Sequence, residues 1–376
     1  MDLYPWEEKA YIELKHLYEA FFMRLAKLGM QCYRIDSHEL FSNNVKQLSD
    51  EQKQKICSFW KQYIDEMDLH YHEYYCDRAG YFDVRYIPDD IFAGYIDGYL
   101  NNRNIEAGIA DKNYFDLYLT GFRKPQSIVH LINGIFEDEM YNLIDKTDAI
   151  RKLIAAKQFV VKPSMGSYGG KGVVVFKNPS YEQIENYLHS VNSENLIFQE
   201  LIEQSEVTAV LHPQSVNTIR IMTLLIDNDI KILPAIFRMG VGNSHVDNAS
   251  NGGIYCKILE DGSLADFAYD ALGNRFEEHP DGGRFCNVKF DFMSDVKKIV
   301  KQAAQRFPHF RLIGWDIAID RDDNPVIIEA NLTMSSIDII QTVWGPLFGD
   351  YTEQVLEEIF LHPKKKELVM DILQYI

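Results

Sequence analysis

The segment IGWDIAIDRDDNPVIIEANL constrains the fold of this chain more than any other stretch of its sequence. Two apolar, β-branched runs flank the turn residues RDDN, and this pattern predicts a β-hairpin. If Asp320 pairs with Pro325, Asp316 lies directly opposite Glu329, where Cβ atoms are about 4.5–5.5 Å apart. Asn331 falls on the same face because side chains alternate along a strand. The sequence therefore predicts two carboxylates and an amide on one face of a sheet.

Opposed carboxylates destabilise a sheet unless a cation lies between them. Mg²⁺ fits this place, since it prefers oxygen ligands and is often held by one or two carboxylates together with substrate phosphates. We therefore predict a Mg²⁺ site formed by Asp316, Glu329 and Asn331. A pair of solvated strand charges and a general acid/base pair stay open as alternatives. The acids of the turn are expected to be inert: Asp320, Asp322 and Asp323.

A second segment, FVVKPSMGSYGGKGVVVF, predicts another hairpin, whose turn is rich in glycine. Glycines let backbone N–H groups face a bound group, and Lys162 and Lys171 add positive charge at the two edges of the turn. The segment is not a P-loop, because Gly172 follows Lys171 where Ser or Thr is required, and it lacks the spacing of a dinucleotide fingerprint. A flap that covers a nucleotide remains, with a plain flexible hairpin as the alternative. The turn glycines are Gly166, Gly169, Gly170 and Gly172.

Two arginines in a third predicted hairpin, SVNTIRIMTLLI and KILPAIFRMGVG around DND, indicate an anion site. If Ile226 pairs with Ile230, Arg220 lies across from Ile236. Arg238 then shares the face of Arg220 diagonally. Guanidinium groups match the oxygens of phosphate or carboxylate, and ion pairing on the surface is the alternative.

Two downstream segments, VDNASNGGIY and HPDGG, are rich in Asn and Gly, as expected of loops that shape a polar pocket. Asn251, Gly252 and Gly253 are the better candidates for contacts with a substrate. His279 is interpreted as a structural residue or a substrate contact rather than as a general base.

The composition is that of an ordinary globular protein, with 376 residues, 46% hydrophobic and 25% charged. A net charge of −18 disfavours binding to nucleic acid or anionic membranes, although a local basic pocket can still hold an anion. The N-terminus has no recognisable secretory signal, and no apolar stretch approaches the ~20 residues of a membrane span. The five scattered cysteines form no CxxC pair, which disfavours zinc and disulfide frameworks. We expect a cytoplasmic protein with reduced thiols.

The first 75 residues or so are predicted to be helical. EEKAYIELKHLYEAFFMRLAKLG has helical periodicity and ends at Gly29, a C-cap candidate. SDEQKQKICSFWKQYIDEM opens on Ser49, with Gln52 in a capping-box position. The dense aromatic residues indicate a helix-packing core, with a partner-helix face as the alternative. From about residue 85 we expect an α–β–α module whose second helix is EDEMYNLIDKTDAIRKLIAAK, then mainly strands, a helix at SDVKKIVKQAAQRFP and a helical tail.

The ordered motifs resemble the ATP-grasp superfamily. They are VVKPSMGSYGGKGV, FQELI, SVNTIRIMT, NGGI, GWDIAID and VIIEANL, while IPDDIF, DKNYFD and HPDGG are similar to its sugar-transfer associated branch, related to the α-L-glutamate-ligase-like group. The resemblance implies an α+β fold in which two α+β lobes clasp ATP, preceded by a helical N-terminal region. The implied divisions are a helical region at 1–84, a pre-ATP-grasp α/β module at 85–155, a lid subdomain at 156–205, a C-terminal subdomain with the metal site at 206–345, and C-terminal helices at 346–376.

The resemblance also implies roles for single residues. Lys162 would contact the α/β-phosphates, and Gly169, Gly170 and Lys171 would lie in the flap. Adenine would be read by Gln199, Glu200, Leu201 and Ile202, and ribose by Glu206. Arg220 and Asn217 would meet the γ-phosphate or an acyl-phosphate. Asp316, Glu329 and Asn331 match the Mg²⁺ ligands, and Arg238 with Asn251, Gly252 and Gly253 matches the acceptor or carboxylate side.

The implied activity is ATP- and Mg²⁺-dependent ligation of a small-molecule carboxylate to an amine through an acyl-phosphate. The branch name suggests cell-surface polysaccharide biosynthesis, with a sugar acid or an amino acid as substrate. A phosphotransferase acting on a hydroxyl acceptor and a non-catalytic nucleotide-binding scaffold are the alternatives. The oligomeric state stays open, with a homodimer as one option.

Overall fold

The computed structural model describes Glu13 and residues 45–166, 170–191 and 194–363. Apart from Glu13, the predicted first helix lies outside these residues, as does the terminal segment KKELVMDILQYI. The chain forms two compact units, one of residues up to Tyr99 together with those from Gly345 on, and the other Leu100–Trp344. All the residues predicted to bind cofactor, metal or substrate belong to the second unit. The five predicted divisions of the chain stay a prediction.

Helices joined by turns and loops make up the described part of the first unit. Its first helix begins with the predicted capping box, in which Ser49 N donates to Gln52 Oε1 (2.9 Å) and Gln52 N donates to Ser49 Oγ (3.3 Å). Tyr71, Tyr74 and Tyr75 are fully buried in one core cluster, so these aromatic residues pack as a core. The helical segments are Asp50–Trp60, His70–Ala79, Asp89–Ile91, the π-helical Phe92–Ile96, Asp97–Leu100 at the boundary between the units, Thr352–Leu356 and the π-helical Glu357–Leu361.

The second unit contains two antiparallel sheets. The first has the strand order β2-β1-β5-β3-β4, with strands β1 Ser127–Ile132, β2 Ile135–Asp138, β3 Gln158–Pro163, β4 Val174–Lys177 and β5 Leu196–Gln199. Phe159 pairs with Phe176, so the glycine-rich segment forms the predicted hairpin. Helices Lys146–Ala156 and Tyr181–Ser190 add Leu153 and Ile184 to the core of this sheet.

The second sheet has the strand order β10-β9-β8-β7-β6-β11-β12. Its strands are β6 Thr218–Ile226, β7 Asp229–Met239, β8 Ile254–Ile258, β9 Leu264–Asp270, β10 Arg275–Phe276, β11 Leu312–Ile319 and β12 Pro325–Asn331. Helix Met293–Ala304 buries Val296 and Val300 against this sheet, in one core with Trp315. Shorter helices are Arg103–Ile109, Phe115–Tyr118, Glu206–Ala209 and Asp338–Trp344, and 3-10 turns are Lys112–Tyr114, Ala249–Asn251 and Phe285–Asn287.

The β11–β12 hairpin has the predicted pairing at the acids but not at the turn. Ile319, not Asp320, pairs with Pro325, because the Asp320 carboxylate accepts from the backbone N–H groups of Asp322 and Asn324 and closes the turn. A β-bulge after Asp316 leaves one extra residue, Ile328, on β12, and Asp316 therefore pairs with Glu329 as predicted.

The β6–β7 hairpin shows the same compensation. Ile226 pairs with Asp229, not Ile230, since the turn has two residues with positive φ, 52° and 58°, as type I′ turns require. A bulge between Ile221 and Thr223 then places Arg220 across from Ile236. The predicted arginine face is thus correct, although the assumed turn is wrong.

One predicted helix is shorter than expected. Of EDEMYNLIDKTDAIRKLIAAK only Lys146–Ala156 is helical, and the segment before it holds the end of β2. Asp145 begins the helix by accepting from Asp148 N at 2.8 Å. Among the residues that the structure describes, no helix has both the length and the apolar character to cross a bilayer.

Candidate functional site

Both sheets of the second unit contribute residues to a cavity of about 340 Å³. Val160, Val175 and Ile328 form part of an apolar wall. Five acidic and four basic side chains also line it, and the basic ones are Lys112, Lys162, Arg220 and Arg238. The cavity is therefore much less acidic than the chain, whose net charge is −18.

Asp316 lies between the two predicted arginines. Strands β6 and β11 are neighbours, and Arg220 pairs with Asp316. The guanidinium of Arg220 therefore donates from Nε to Oδ1 of Asp316 at 2.5 Å and from Nη2 to Oδ2 at 3.1 Å. Arg238 Nη2 lies 3.2 Å from the same Oδ2. Burial alone raises the pKa of Asp316, but the two guanidinium groups outweigh it and lower this pKa to about 2. Both arginines are only 5% exposed, which excludes the alternative of ion pairing on the surface.

Glu329 and Asn331 complete the predicted donor set. Lys112 Nζ lies 3.1 Å from Glu329 Oε1. The amide nitrogen of Asn331 donates to Gly314 O at 3.0 Å, which leaves its oxygen as an acceptor. Two carboxylates and an amide oxygen on neighbouring strands are the chemistry that Mg²⁺ prefers, so these residues fit the predicted ion.

Arg238 belongs to a second buried network. It donates to Thr218 Oγ1 from Nη2 at 2.8 Å, and its Nε lies 3.4 Å from Asp247 Oδ2. Burial raises the pKa of Asp247, although Arg238 opposes this effect. Burial also disfavours the charged form of Arg238, but Asp247 and Asp316 outweigh this and raise its pKa. Arg238 is therefore held in place as a cation between two acids at the cavity.

Two polar groups of the cavity have no partner among the described residues. The Lys162 ammonium forms no hydrogen bond or ion pair with them, and burial lowers the pKa of Lys162 to about 8. The buried Oε1 of Gln199 is likewise unpaired within the described chain, while its Nε2 donates to Pro125 O at 3.4 Å. Buried polar groups are almost always satisfied, so this pair indicates a polar ligand.

The other residues predicted for the cofactor divide into two groups. Glu200, whose carboxylate pairs with Arg123 at 2.5 Å, lines the cavity together with Gly170, Leu201 and Ile202. Lys171 and Glu206 are exposed and do not line it. Gly169 lies outside the described residues.

Asn217 also lies away from the cavity lining. Its Nδ2 donates to the carbonyls of Thr208 and His212, at 2.8 and 2.7 Å, and its Oδ1 accepts from Ser215 Oγ and Gly240 N. The amide thus fixes the loop before β6. Its contact with a phosphate stays a prediction.

The Asn251–Gly253 turn shapes the loop of Asp247 without lining the cavity itself. Gly252 has φ +84°, and Gly253 N donates to Asn248 O at 3.1 Å. A Cβ on Gly253 would lie 2.5 Å from Asp247 O, so only glycine fits there without displacing that loop. The predicted substrate contacts of this turn stay a prediction.

Sequence reasoning missed Lys112, Asp247 and His245, which all line the cavity. Lys112 lies in the motif DKNYFD, which resembles the family, and Asp247 lies in the predicted loop VDNASNGGIY. The residues themselves carry no periodicity that points to a face of a sheet.

Residues 93–355 match the family model described as sugar-transfer associated ATP-grasp. The comparison with curated proteins finds no match. Among solved structures, the D-cycloserine synthetase DcsG is similar, with 17% identity, 69% of this chain and 73% of that chain covered, and a TM-score of 0.44. The ADP complex of N5-carboxyaminoimidazole synthetase from Staphylococcus aureus has 14% identity, coverage of 63% and 46%, and a TM-score of 0.37. The ATP-grasp ligase PsnB, complexed with minimal precursor, Mg and ADP, has 14% identity, coverage of 69% and 62%, and a TM-score of 0.39. The chain thus spans less than two thirds of the length of the last two.

Proposed function

Because the chain belongs to the sugar-transfer associated ATP-grasp family, we propose that it is an ATP- and Mg²⁺-dependent ligase that joins a carboxylate to an amine. The family match confirms the predicted resemblance and, with the two antiparallel sheets, the predicted α+β ATP-grasp fold. Lys162 carries the functional proposal. It is a half-buried ammonium without a partner among the described residues, in a cavity that also holds two arginines and two strand acids.

A nucleotide satisfies the groups that the cavity leaves unpaired. Its phosphates supply the anion for Lys162. Lys112, which forms an ion pair with Glu329, adds a second positive charge to the cavity. The free acceptor Gln199 Oε1 suits the exocyclic amino group of adenine, and Val160 and Val175 offer the apolar wall for the ring. Pockets of this kind combine mostly apolar walls with a few placed polar groups.

Asp316, Glu329 and Asn331 are proposed to hold Mg²⁺, which supplies charge neutralisation to the phosphates when it is bound. The chain's own Arg220 and Arg238 lie against Asp316. They are positioned to bind the oxygens of the transferred phosphoryl group, which needs positioning and charge stabilisation more than covalent help.

The chemistry explains why these groups are gathered. A carboxylate is a poor electrophile, and phosphoryl transfer from ATP turns it into an acyl-phosphate with a good leaving group. The amine then displaces phosphate and forms the amide. Water has to be kept from this intermediate. We assign this role to the glycine-rich hairpin, and the closeness of Gly170 to Val246, in the loop beside the cavity, supports the assignment.

For the substrate, the family description supports a compound of sugar transfer. We propose that the ligase joins an amino acid and a sugar acid in cell-surface polysaccharide biosynthesis. Arg238 is the side chain for the substrate carboxylate, since it is held between Asp247 and Asp316 at the cavity.

The test is ADP release by the full chain, measured across panels of carboxylates and amines, with hydroxylamine added in parallel to trap an acyl-phosphate as a hydroxamate. We expect ADP only when a carboxylate is present, and loss of turnover in Asp316→Asn and Glu329→Gln. The exposed Lys177→Met serves as the control that keeps activity.

Three results would overturn the proposal. ADP release that needs a hydroxyl acceptor and gives no hydroxamate would identify a kinase. Nucleotide binding without release across the panels would identify a scaffold. Parent-like turnover in both acid variants would remove the metal assignment.

A further inference from the structure

Three side chains outside the cavity bring metal-ligating atoms together. His212, His279 and Asp281 each offer one such atom, and these atoms lie within 4.8 Å of one another. The two imidazole rings are 1% and 2% exposed and stack with their centroids 5.8 Å apart. Asp281 is the open side of the cluster, since 36% of its side chain is exposed. None of the three lines the cavity described above.

The far nitrogen of each ring is committed to a backbone carbonyl. His212 Nε2 lies 3.1 Å from Ser244 O, and His279 Nε2 lies 2.9 Å from Gly240 O. A carbonyl only accepts, so both Nε2 atoms carry the hydrogen. The neutral rings then turn their Nδ1 lone pairs toward Asp281. Metal-ligating histidines characteristically donate their other N–H to a carbonyl or carboxylate in this way.

The Nδ1 side of the cluster has more acceptors than donors. His212 Nδ1 lies 3.0 Å from Asp281 Oδ2, and His279 Nδ1 lies 3.8 Å from the same oxygen. The donors there are backbone groups, with Gly242 N donating to Oδ2 at 2.8 Å and Asp281 N donating to His279 Nδ1 at 3.1 Å. Neither lies between His212 and the carboxylate, so a lone pair faces a carboxylate oxygen unless a cation bridges them.

We propose that His212, His279 and Asp281 bind a divalent transition-metal ion of the Zn²⁺ class, distinct from the Mg²⁺ of the cavity. Two imidazoles and one carboxylate favour Zn²⁺ or Co²⁺ over Mg²⁺, which prefers oxygen. With bonds of about 2.0–2.1 Å, tetrahedral ligand atoms stand roughly 3.3 Å apart. The distances of 3.0 and 3.8 Å bracket that value. Binding requires His279 Nδ1 to give up the Asp281 N–H, and the exposed side of Asp281 leaves room for water as a fourth ligand.

The ion would fix three segments that hydrogen bonds and the stacked imidazole rings already hold together. His212 precedes β6, His279 and Asp281 follow β10, and the carbonyls that orient the rings belong to Gly240 and Ser244. The next residues of that last segment, from His245 to Asn248, line the cavity. The site is therefore structural, and it holds the base of the loop that carries Asp247.

The test uses the full chain, stripped of metal with a chelator and then titrated with Co²⁺. We expect one equivalent to give the intense visible absorption of tetrahedral Co²⁺, Zn²⁺ to displace it, and either ion to raise the melting temperature. His279→Gln and Asp281→Asn should each weaken binding by at least about tenfold. Asp281→Asn is the safer variant for folding, because the residue is exposed and its side-chain oxygen can still accept from Gly242 N. Exposed His309→Gln and cavity Asp316→Asn should keep the absorption.

A proton is the rival occupant, since a protonated His212 would also satisfy the contact with Asp281. No tetrahedral Co²⁺ spectrum in a folded parent, together with a melting temperature that follows pH but not Zn²⁺, would overturn the proposal in favour of the proton. A spectrum that survives both His279→Gln and Asp281→Asn would overturn it as well, because the ion would lie elsewhere.

Discussion

Replacing Lys162 by Met should stabilise the ligand-free protein and abolish its stabilisation by ATP. The Lys162 ammonium lines the cavity without a partner among the described residues, and burial lowers the pKa of this side chain from 10.5 to about 8. Methionine keeps the aliphatic stem and removes the charge. The variant therefore separates the cost of burying the ammonium from the packing of the side chain.

The magnitude follows from the difference between the two pKa values. Between pH 8 and 10.5 the unfolded chain holds a proton on Lys162 that the folded chain lacks, so stability rises with pH across this window. Below the folded pKa of about 8 the penalty is complete. The shift corresponds to an upper bound of about 3 kcal/mol. Since Lys162 is only half-buried and solvent screens its charge, we expect about 1–3 kcal/mol.

The assay is urea unfolding of the parent and of Lys162→Met at pH 7 and pH 10. The variant should be more stable at pH 7, and the difference should shrink at pH 10, where other groups titrate equally in both proteins. The exposed Lys177→Met is the matched control and should change neither value. ATP with Mg²⁺ at a hundred times its Kd should stabilise the parent by about 2.7 kcal/mol and leave Lys162→Met unchanged.

Two results would refute the reasoning in different places. Suppose that Lys162→Met is less stable than the parent at pH 7, or that the difference in free energy of unfolding does not change with pH. Either result would mean that burial in the cavity does not penalise the charged ammonium. If the variant keeps the stabilisation by ATP, the nucleotide binds without Lys162 and the proposed site is wrong.

Three further changes test the same region. Asp316→Asn should lower the free energy of unfolding at pH 7 by about 3–5 kcal/mol, because the buried Arg220 loses its counter-charge and the buried Arg238 keeps only that of Asp247. As the folded pKa of Asp316 is about 2, the parent should lose this advantage as pH falls below about 4, which urea unfolding at pH 3 and 7 measures. Gly170→Ala and Gly166→Ala should each cost about 1 kcal/mol, since both have positive φ, 74° and 60°. Only Gly170→Ala should also slow ADP release, because its Cβ would lie 2.9 Å from Val246 Cγ1; equal rates would show that this contact has no role in closure. Asn217→Ala should lower the free energy of unfolding by about 2–3 kcal/mol, because the hydrogen bonds of its buried amide are lost. Urea unfolding measures this change, and an unchanged stability would show that the amide does not hold the loop before β6.

The two functional hairpins could be predicted because alternation along a strand fixes which side chains share a face. The Asp316–Glu329 and Arg220–Ile236 pairs are correct even though both assumed turns are wrong. In each hairpin the turn shifts the register by one residue and a bulge shifts it back. A register slip would have moved every side chain to the opposite face, so the bulges are what preserve these pairs.

The contact between the two hairpins could not be predicted. Arg220 meets Asp316 because β6 and β11 are neighbours in the sheet, although the two residues are 96 positions apart in the sequence. No local pattern states which strands pair across such a distance. The same holds for Lys112 and Asp247, which reach the cavity from turns without periodicity. The sequence predicts that His279 is a structural residue or a substrate contact, but only the fold brings it to His212 and Asp281.

In the ligand-free cavity some charged side chains have a counter-charge and Lys162 has none among the described residues. This difference links the stability of the protein to its function. Asp316 is neutralised by two arginines and Glu329 by Lys112, whereas Lys162 has no counter-charge among the described residues. An anion that binds there gains the attraction to Lys162 and also removes the penalty for its burial, so the two effects share one origin. Substitutions that neutralise Lys162 should therefore gain in ligand-free stability and lose in nucleotide affinity together. Substitutions at Asp316 should lose both, because they release the arginines that its carboxylate holds in place.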